Sequence, residues 1–593
     1  MRSRSNVGRG RVAKTKTVPS PVGGLNALNA LAEMPETDAV TLENWFPRTS
    51  DVVTRKGFVP WATGMSGAVE TLIAYRSSTA LKMFAFANSS VYDVTSQAAV
   101  GAAAVTGLSN NRWQYVNFGT IGGRFVYAIN GADYPLLYDG TTWLSVGNGT
   151  GAIISTITFV GTTATVTTAT PHGLINGAIV TVTVTGAAPT SYNVVAVPIN
   201  VTGTTTFTYT MATTPATNAT TVGTFTYTPS IQGVDPRLLV NCDTISSRMW
   251  FVEKNSLRAW YLPLNSIGGT ANVIDLTSLA KQGGSLAAVF AWSTTSSYGM
   301  ANYTVFITTE GEVIVYQGYD PASLATWGLA LRGRIGAPVG YRFWTRFGTD
   351  VAIICRDGVV PLSKALQVDR STDSEAISYK ITNLVNNDVA AFPNNFGWQL
   401  QVFPIGTMLI VNVPVTTNAV QTQYIMNTVT NAWCRYTGVK ANTWEYLNDR
   451  LFFGGNDGTV YQAETGTSDN GSVINAQAKQ AFSYFDDPGA QKRFTGARPV
   501  ITSASAGAIA FGLDVDFQDS PAIQTPTIAL LGGAPLWPFP WPSSWGAASS
   551  VSSYLQAARG IGYAAAPRMA TANKQTAVSW QATTVMYEPG GPL

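Results

Sequence analysis

Residues 305–316 read Val305-Phe306-Ile307-Thr308-Thr309-Glu310-Gly311-Glu312-Val313-Ile314-Val315-Tyr316, an apolar strand, a polar turn and a second strand ending on an aromatic. The Glu310-Gly311 pair marks a tight hairpin, because glycine supplies the positive φ that such turns require. The unit recurs. Earlier copies are Met83-Phe84-Ala85-Phe86 through Asn88-Ser89-Ser90 to Val91-Tyr92, and Phe125-Val126-Tyr127 through Asn130-Gly131 to Leu137-Tyr138. Another runs from Met249-Trp250-Phe251-Val252 to Trp260-Tyr261. Later come Ile353-Ile354 through Asp357-Gly358 to Val360 and Leu362, and Leu451-Phe452-Phe453 through Asp457-Gly458 to Val460-Tyr461.

The spacing decides the architecture. Tyr92 to Tyr138 is 46 residues, Tyr261 to Tyr316 is 55, and Tyr316 to Leu362 is 46. Tyr138 to Tyr261 is 123, which falls to 45 when residues 151–228 are set aside. Leu362 to Tyr461 is 99, room for one more unit built on Leu409-Ile410-Val411 and Tyr424-Ile425-Met426. An all-strand repeat in the forties is the signature of a β-propeller, in which each blade buries faces that it could not bury alone. Six or seven blades fit, over residues 23–150 and 229–475. The competing fold is an irregular all-β assembly without closure.

Composition agrees with a packed, mainly β chain. Of 593 residues, 45% are apolar and only 12% charged, with 16 Trp, 24 Tyr and 25 Phe that require an interior. The length implies more than one domain. No apolar run is long enough for a membrane-spanning helix, and the basic start has no apolar segment behind it that would make it a secretory signal. Cys242, Cys355 and Cys434 are too few and too far apart for a disulfide framework or a zinc site, which points to folding in a reducing compartment.

Charge is unevenly placed. Arg2, Arg4, Arg9, Arg11, Lys14 and Lys16 stand in a start without acids, and removing those six leaves 30 basic against 33 acidic residues. Residues 1–22 therefore read as a basic arm, either solvated or gripping an acidic protein or a phosphate backbone. At the other extreme, residues 140–234 hold no Asp, Glu, Lys or Arg. Within them Val180-Thr181-Val182-Thr183-Val184-Thr185, Thr206-Phe207-Thr208-Tyr209 and Thr224-Phe225-Thr226-Tyr227 alternate with period two, so residues 151–228 read as an inserted small β-barrel or sandwich. Residues 476–593 read as a C-terminal β domain. Its proline-rich loop carries Trp537, Phe539, Trp541 and Trp545, a candidate exit or interface loop. Short helical turns are expected near Pro35-Glu36-Thr37-Asp38 and Ser553-Tyr554-Leu555-Gln556-Ala557-Ala558.

Catalytic signatures are missing. The one histidine, His172, lies in a Pro171-His172-Gly173 turn, and HExxH, CxxC, GxxxxGK[ST] and GxSxG do not occur. Asp514 and Asp516 share a strand face, with Asp519 following, and are weighed as a sugar-cleaving pair against solvated strand residues or an intersubunit salt bridge. Asp93, Asp139, Asp357 and Asp457 read as turn formers. No catalytic residue, metal ligand or cofactor is assigned, and the chain is not expected to be an enzyme.

Several segments carry a resemblance. They are the double glycine at Gly23-Gly24, Asp38-Ala39, Leu42-Glu43-Asn44-Trp45-Phe46-Pro47 and Arg55-Lys56-Gly57-Phe58. Further on stand Tyr424-Ile425-Met426-Asn427, Asn431-Ala432-Trp433-Cys434, Asn456-Asp457-Gly458-Thr459-Val460-Tyr461, Gln491-Lys492-Arg493-Phe494 and Met586-Tyr587-Glu588-Pro589-Gly590-Gly591-Pro592-Leu593. Together they resemble the tail nozzle proteins of short-tailed bacteriophages, also called tail tubular protein B or packaged-DNA stabilisation protein. Residues 164–174 resemble a small β module found in many phage structural proteins. The resemblance implies a virion protein, assembled in the bacterial cytoplasm as a homohexameric ring below the tail adaptor (head-to-tail connector). It also implies double-stranded DNA passing through the channel and contacts with tail fibres or spikes. The alternative is a tail receptor-binding or polysaccharide-cleaving protein.

Overall fold

The computed structural model describes residues 13–174, 180–296, 299–323, 325–367, 376–518, 528–530 and 550–590. It is mainly β, and its repeats form a closed ring of seven blades. Blade 1 holds Thr71–Arg76, Leu81–Ala87, Ser90–Asp93 and Val105–Thr106; blade 2 holds Gln114–Thr120, Gly123–Ile129, Leu136–Tyr138 and Trp143–Ser145. Blade 3 comprises Leu239–Ile245, Arg248–Glu253, Arg258–Tyr261 and Asn272–Asp275; blade 4 comprises Leu286–Ser296, Gly299–Thr308, Glu312–Gly318 and Trp327–Arg334. Blade 5 has three strands, Trp344–Phe347, Asp350–Cys355 and Gly358–Pro361, with the helix Thr382–Ala391 beside the last. Blade 6 is Gln399–Phe403, Met408–Thr416, Val420–Asn427 and Trp433–Tyr436.

Blade 7 closes the ring. Thr443–Leu447, Arg450–Gly454 and Val460–Ala463 come from the end of the repeat region, and the next strand, Phe58–Thr63, comes from its start, antiparallel to Val460–Ala463. Pairing residues about four hundred apart removes the free edges that an open array would leave.

The apolar strands are explained by burial on both faces. Ile73, Phe84 and Phe86 of blade 1 pack with Val126, Tyr138 and Trp143 of blade 2. On the opposite face of the same blade 2 strand, Phe125 and Tyr127 join Met249 and Phe251 of blade 3. Trp250 and Tyr261 then meet Phe306 and Trp327 of blade 4. A blade strand therefore cannot show the apolar–polar alternation of a half-exposed sheet. The turns behave as their residues require: Asn88 and Ser89 both take positive φ, and at Gly311 a Cβ would sit 2.2 Å from the Ile335 carbonyl oxygen.

Between blades 2 and 3, six strands from Ile154–Val160 to Thr221–Thr228 form one sheet around Val166, Val182, Val184, Phe207 and Phe225. Along Thr181–Ala188 the valines are buried and the first threonines half-exposed, as the alternation demands. His172 is buried against this core. Its Nδ1 accepts from the Leu174 amide at 3.0 Å, its Nε2 lies 3.0 Å from the Gly203 carbonyl, and its ring meets Phe207 edge-on. A second proton would set two N–H groups against each other at Nδ1, and burial lowers the imidazole below its ordinary value. The neutral ring thus stabilises the insert fully above the unfolded value of about 6.5, and that contribution fades as pH falls through the lower folded value. The single imidazole in a histidine-labelled NMR spectrum should titrate below about 6.5; a midpoint at or above that would remove this assignment.

The C-terminal domain is a sandwich of two sheets. One contains Lys14–Pro19, Trp45–Pro47, Val52–Thr54, Lys492–Ser503, Ser550–Ser552, Gln556–Gly562 and Val578–Pro589. The other contains Gly24–Leu25, Asp38–Glu43, Ile474–Gln480, Gly507–Val515, Ile528–Leu530 and Ala565–Asn573, and runs on through Trp433–Tyr436 into blade 6. Propeller and sandwich therefore share a sheet.

Three sequence expectations shift here. The arm was expected to extend to residue 22, yet Lys14–Pro19 is an edge strand antiparallel to Val578–Pro589, and the Lys16 ammonium pairs with Glu36 at 2.8 Å and Asp486 at 2.9 Å. The propeller was expected to begin at 23, yet the strands from Gly24 to Thr54 complete the sandwich and the first blade strand starts at Phe58. Of the helical turn expected over residues 553–558, residues 556–558 instead begin the strand Gln556–Gly562 against Lys492–Ser503, which a sheet neighbour imposes over local helix preference.

Candidate functional site

The inner strands of the blades surround a cavity of about 460 Å3, lined by groups such as Arg76, Asp243, Arg342, Arg346, Gln401 and Glu445. Many of its polar groups clasp one blade to the next. Asn117 accepts from the Arg76 amide at 3.1 Å and donates to the Ala74 carbonyl at 2.8 Å, joining blades 2 and 1. Asn241 and Asp243 accept from the Val289 and Ala291 amides at 3.0 Å each, joining blades 3 and 4. Gln399 donates to the Trp444 carbonyl at 2.8 Å and accepts from its amide at 2.9 Å, joining blades 6 and 7. Inner-strand backbone groups have no further strand to pair with, so side-chain amides take that place.

Arg342, just before blade 5, reaches across the ring. Its guanidinium donates to Thr443 Oγ1 at 2.8 Å, Thr71 Oγ1 at 2.7 Å, the Trp113 carbonyl at 3.0 Å and the Glu70 carbonyl at 3.3 Å, tying blade 7 to blades 1 and 2. Burial lowers it to about 10, which leaves it charged at neutral pH. Glu445 bonds to the Tyr115 hydroxyl and to Arg76, the latter at 2.9 Å. Burial raises the Asp243 carboxyl, against the pull of Arg346 at 3.5 Å.

A second polar centre lies where propeller meets sandwich. Arg55 grips Asp469 with both terminal nitrogens, at 2.7 and 2.5 Å, and donates to Asn44 Oδ1 at 2.8 Å and the Thr437 carbonyl at 3.1 Å. Asn44, at φ 57°, also bonds the Asn475 carbonyl at 2.7 Å and accepts from the Thr437 amide at 2.9 Å. Glu43 pairs with Arg435 alongside. Nearby, burial raises Glu464 to about 7 against Lys56 and Arg55. Gly57 would drive a Cβ into the Ser468 carbonyl at 1.9 Å, and Gly24 into the Trp433 amide nitrogen at 2.6 Å. Asp38, buried under the double glycine, pairs with Lys380 at 2.9 Å.

The remaining sequence candidates fall as follows. Asp514 is buried between Lys479 and Arg568, each at 3.1 Å. Asp516 instead turns to accept the Tyr563 and Ala564 amides at 2.6 and 3.1 Å. The two carboxyls hold structure on separate errands and do not face a common cleft. Asp519, Arg2, Arg4, Arg9, Arg11, Trp537, Phe539, Trp541 and Trp545 lie outside the described residues. Among the described residues no group of three or more His, Cys, Asp or Glu side chains could hold a metal ion, and no helix is long and apolar enough to cross a membrane. Sequence reading missed Arg342 and the inter-blade clasps. The available signal was a polar residue at alternate positions of an otherwise apolar inner strand, as in Asn241-Cys242-Asp243.

No protein-family profile and no curated protein matches the chain. Among solved structures it is similar to YCF48 bound to D1 peptide, at 9% identity over 73% of this chain and 99% of that one, with a TM-score of 0.24. It is also similar to an exo-beta-1,3-galactanase from Phanerochaete chrysosporium, at 9% identity over 88% and 100%, TM-score 0.24. A glycoside hydrolase family 43 arabinoxylan arabinofuranohydrolase from Bacillus subtilis follows at 9% identity over 89% and 96%, TM-score 0.22. Likeness this distant says nothing of what this chain does.

Proposed function

We propose that this chain is a structural subunit of a short phage tail, one copy of a hexameric nozzle ring below the adaptor that closes and then conducts the genome channel. One observation carries the reading. The segments that resemble nozzle proteins are far apart in sequence, yet several of them meet in one junction: Gly24 on Trp433, Asn44 on Arg55, Pro47 on Asn427 and Phe58 on Tyr461. Lys492 of a further segment is buried and donates to the Ala490 and Tyr563 carbonyls at 2.8 and 3.2 Å, next to Phe494 and Tyr587 in the sandwich core.

The electrostatics suit a conduit. Duplex DNA is held by Lys and Arg through counterion release, so a wall that lets it slide must be poor in them. A chain that is net negative beyond its first sixteen residues permits such a wall. Because Lys14–Pro19 is an edge strand, adaptor docking falls to the arginines before it. Deleting residues 1–12 leaves the strand in place and should block tail completion on filled heads; normal completion would overturn the docking role. Electron microscopy of the purified protein with its adaptor should show six-fold rings. A trimer, or release of reducing sugar from host polysaccharide, would overturn the nozzle reading.

A further inference from the structure

The axial cavity is of ligand size and mixes groups that no clasp needs with groups that sugars use. Its charged lining is Arg76, Arg342 and Arg346 against Asp243 and Glu445, a surplus of one positive charge. Arg342 is spent on backbone and hydroxyl oxygens of three blades. Arg76 is shared between Glu445 and the Tyr446 carbonyl. Arg346, by contrast, stands 3.5 Å from Asp243 with 61% of its side chain exposed. Around it lie the amides of Gln114 and Gln401, the indole of Trp344 stacked on Phe290 at 4.4 Å, and the ring of Tyr341, which is 59% exposed.

We infer that this cavity binds an acidic saccharide of about two rings, with its carboxylate on Arg346. The surplus of a single positive charge matches one carboxylate. A polyphosphate would meet Asp243 and Glu445 with too little compensation. Asp243 and Glu445 stay on their protein partners, and the amides of Gln114 and Gln401 accept from and donate to ring hydroxyls. Tyr341, more than half exposed, offers a flat apolar face to the C–H side of a sugar ring. The site lies on the propeller axis, away from the junction on which the nozzle reading rests, so either can fail alone.

Calorimetric titration of the full-length protein with digalacturonate and with a hyaluronan disaccharide tests the assignment, with neutral digalactose and inorganic phosphate as controls. At least one acidic disaccharide should bind, with digalactose about tenfold weaker or more, the effect of losing one charge-assisted contact. Arg346→Gln should weaken the acidic ligand by a similar factor, and Arg346→Lys, which keeps a positive charge beside the buried Asp243, should restore most of the affinity. Binding of neither acidic sugar, phosphate binding as tightly, or an Arg346→Gln protein with undiminished affinity would overturn the proposal.

Discussion

Replacing Arg55 by methionine is expected to destabilise the protein by about 3–5 kcal/mol, the cost of leaving a buried partner charge alone. The Arg55 side chain is 2% exposed and that of Asp469 12%, so water cannot take the place of the lost fork. Asn44 and the Thr437 carbonyl lose a donor as well. Urea unfolding checks the size, and a double-mutant cycle checks the cause. Arg55→Met with Asp469→Leu should be clearly more stable than Arg55→Met alone, since no unpaired carboxylate remains. Arg55→Lys should rescue only a fraction, because an ammonium keeps the charge but cannot make the paired contacts. A loss within about 0.5 kcal/mol, the range of an ordinary surface substitution, would show that the junction does not depend on this group.

Arg342→Met is the second large loss, again about 3–5 kcal/mol from stranded acceptors and a broken buried network. Its signature differs from that of Arg55. The guanidinium holds the starts of the inner strands Thr71–Arg76 and Thr443–Leu447, on either side of the ring closure. Hydrogen exchange should therefore accelerate in those strands and in Phe58–Thr63, while amides of Val578–Pro589 in the sandwich keep their protection. Uniform acceleration throughout, or none, would contradict a local clasp at the axis.

The repeat was legible because a blade buries both faces of its strands, which writes runs such as Met249-Trp250-Phe251-Val252 between glycine-bearing turns. The insert was legible for the opposite reason, since Val182 and Val184 alternate with threonines on a sheet with one buried face. The assignment of residues 24–54 was not. Those strands are short, and their partners lie hundreds of residues away, as with Leu42 against Ala478 and Trp45 near Trp580. No local pattern encodes such a pairing. The arm was misread in part for the same reason: the charge of Lys16 is conspicuous in the sequence, while its acceptors Glu36 and Asp486 become neighbours only after folding. Asp514 and Asp516 were judged by strand spacing alone, which gives no hint that one is caged by Lys479 and Arg568 and the other turned onto backbone amides.

The ring is latched by Phe58–Thr63 on Val460–Ala463, and the sandwich by Lys14–Pro19 on Val578–Pro589. Each latch joins an early strand to one that leaves the ribosome hundreds of residues later. Vectorial synthesis thus holds both bodies unfinished until the last strand emerges, and contacts of such long sequence separation form slowly. A prematurely terminated product would expose the edges of Phe58–Thr63 and Lys14–Pro19 together, which marks it for chaperones and proteases instead of admitting it to an oligomer.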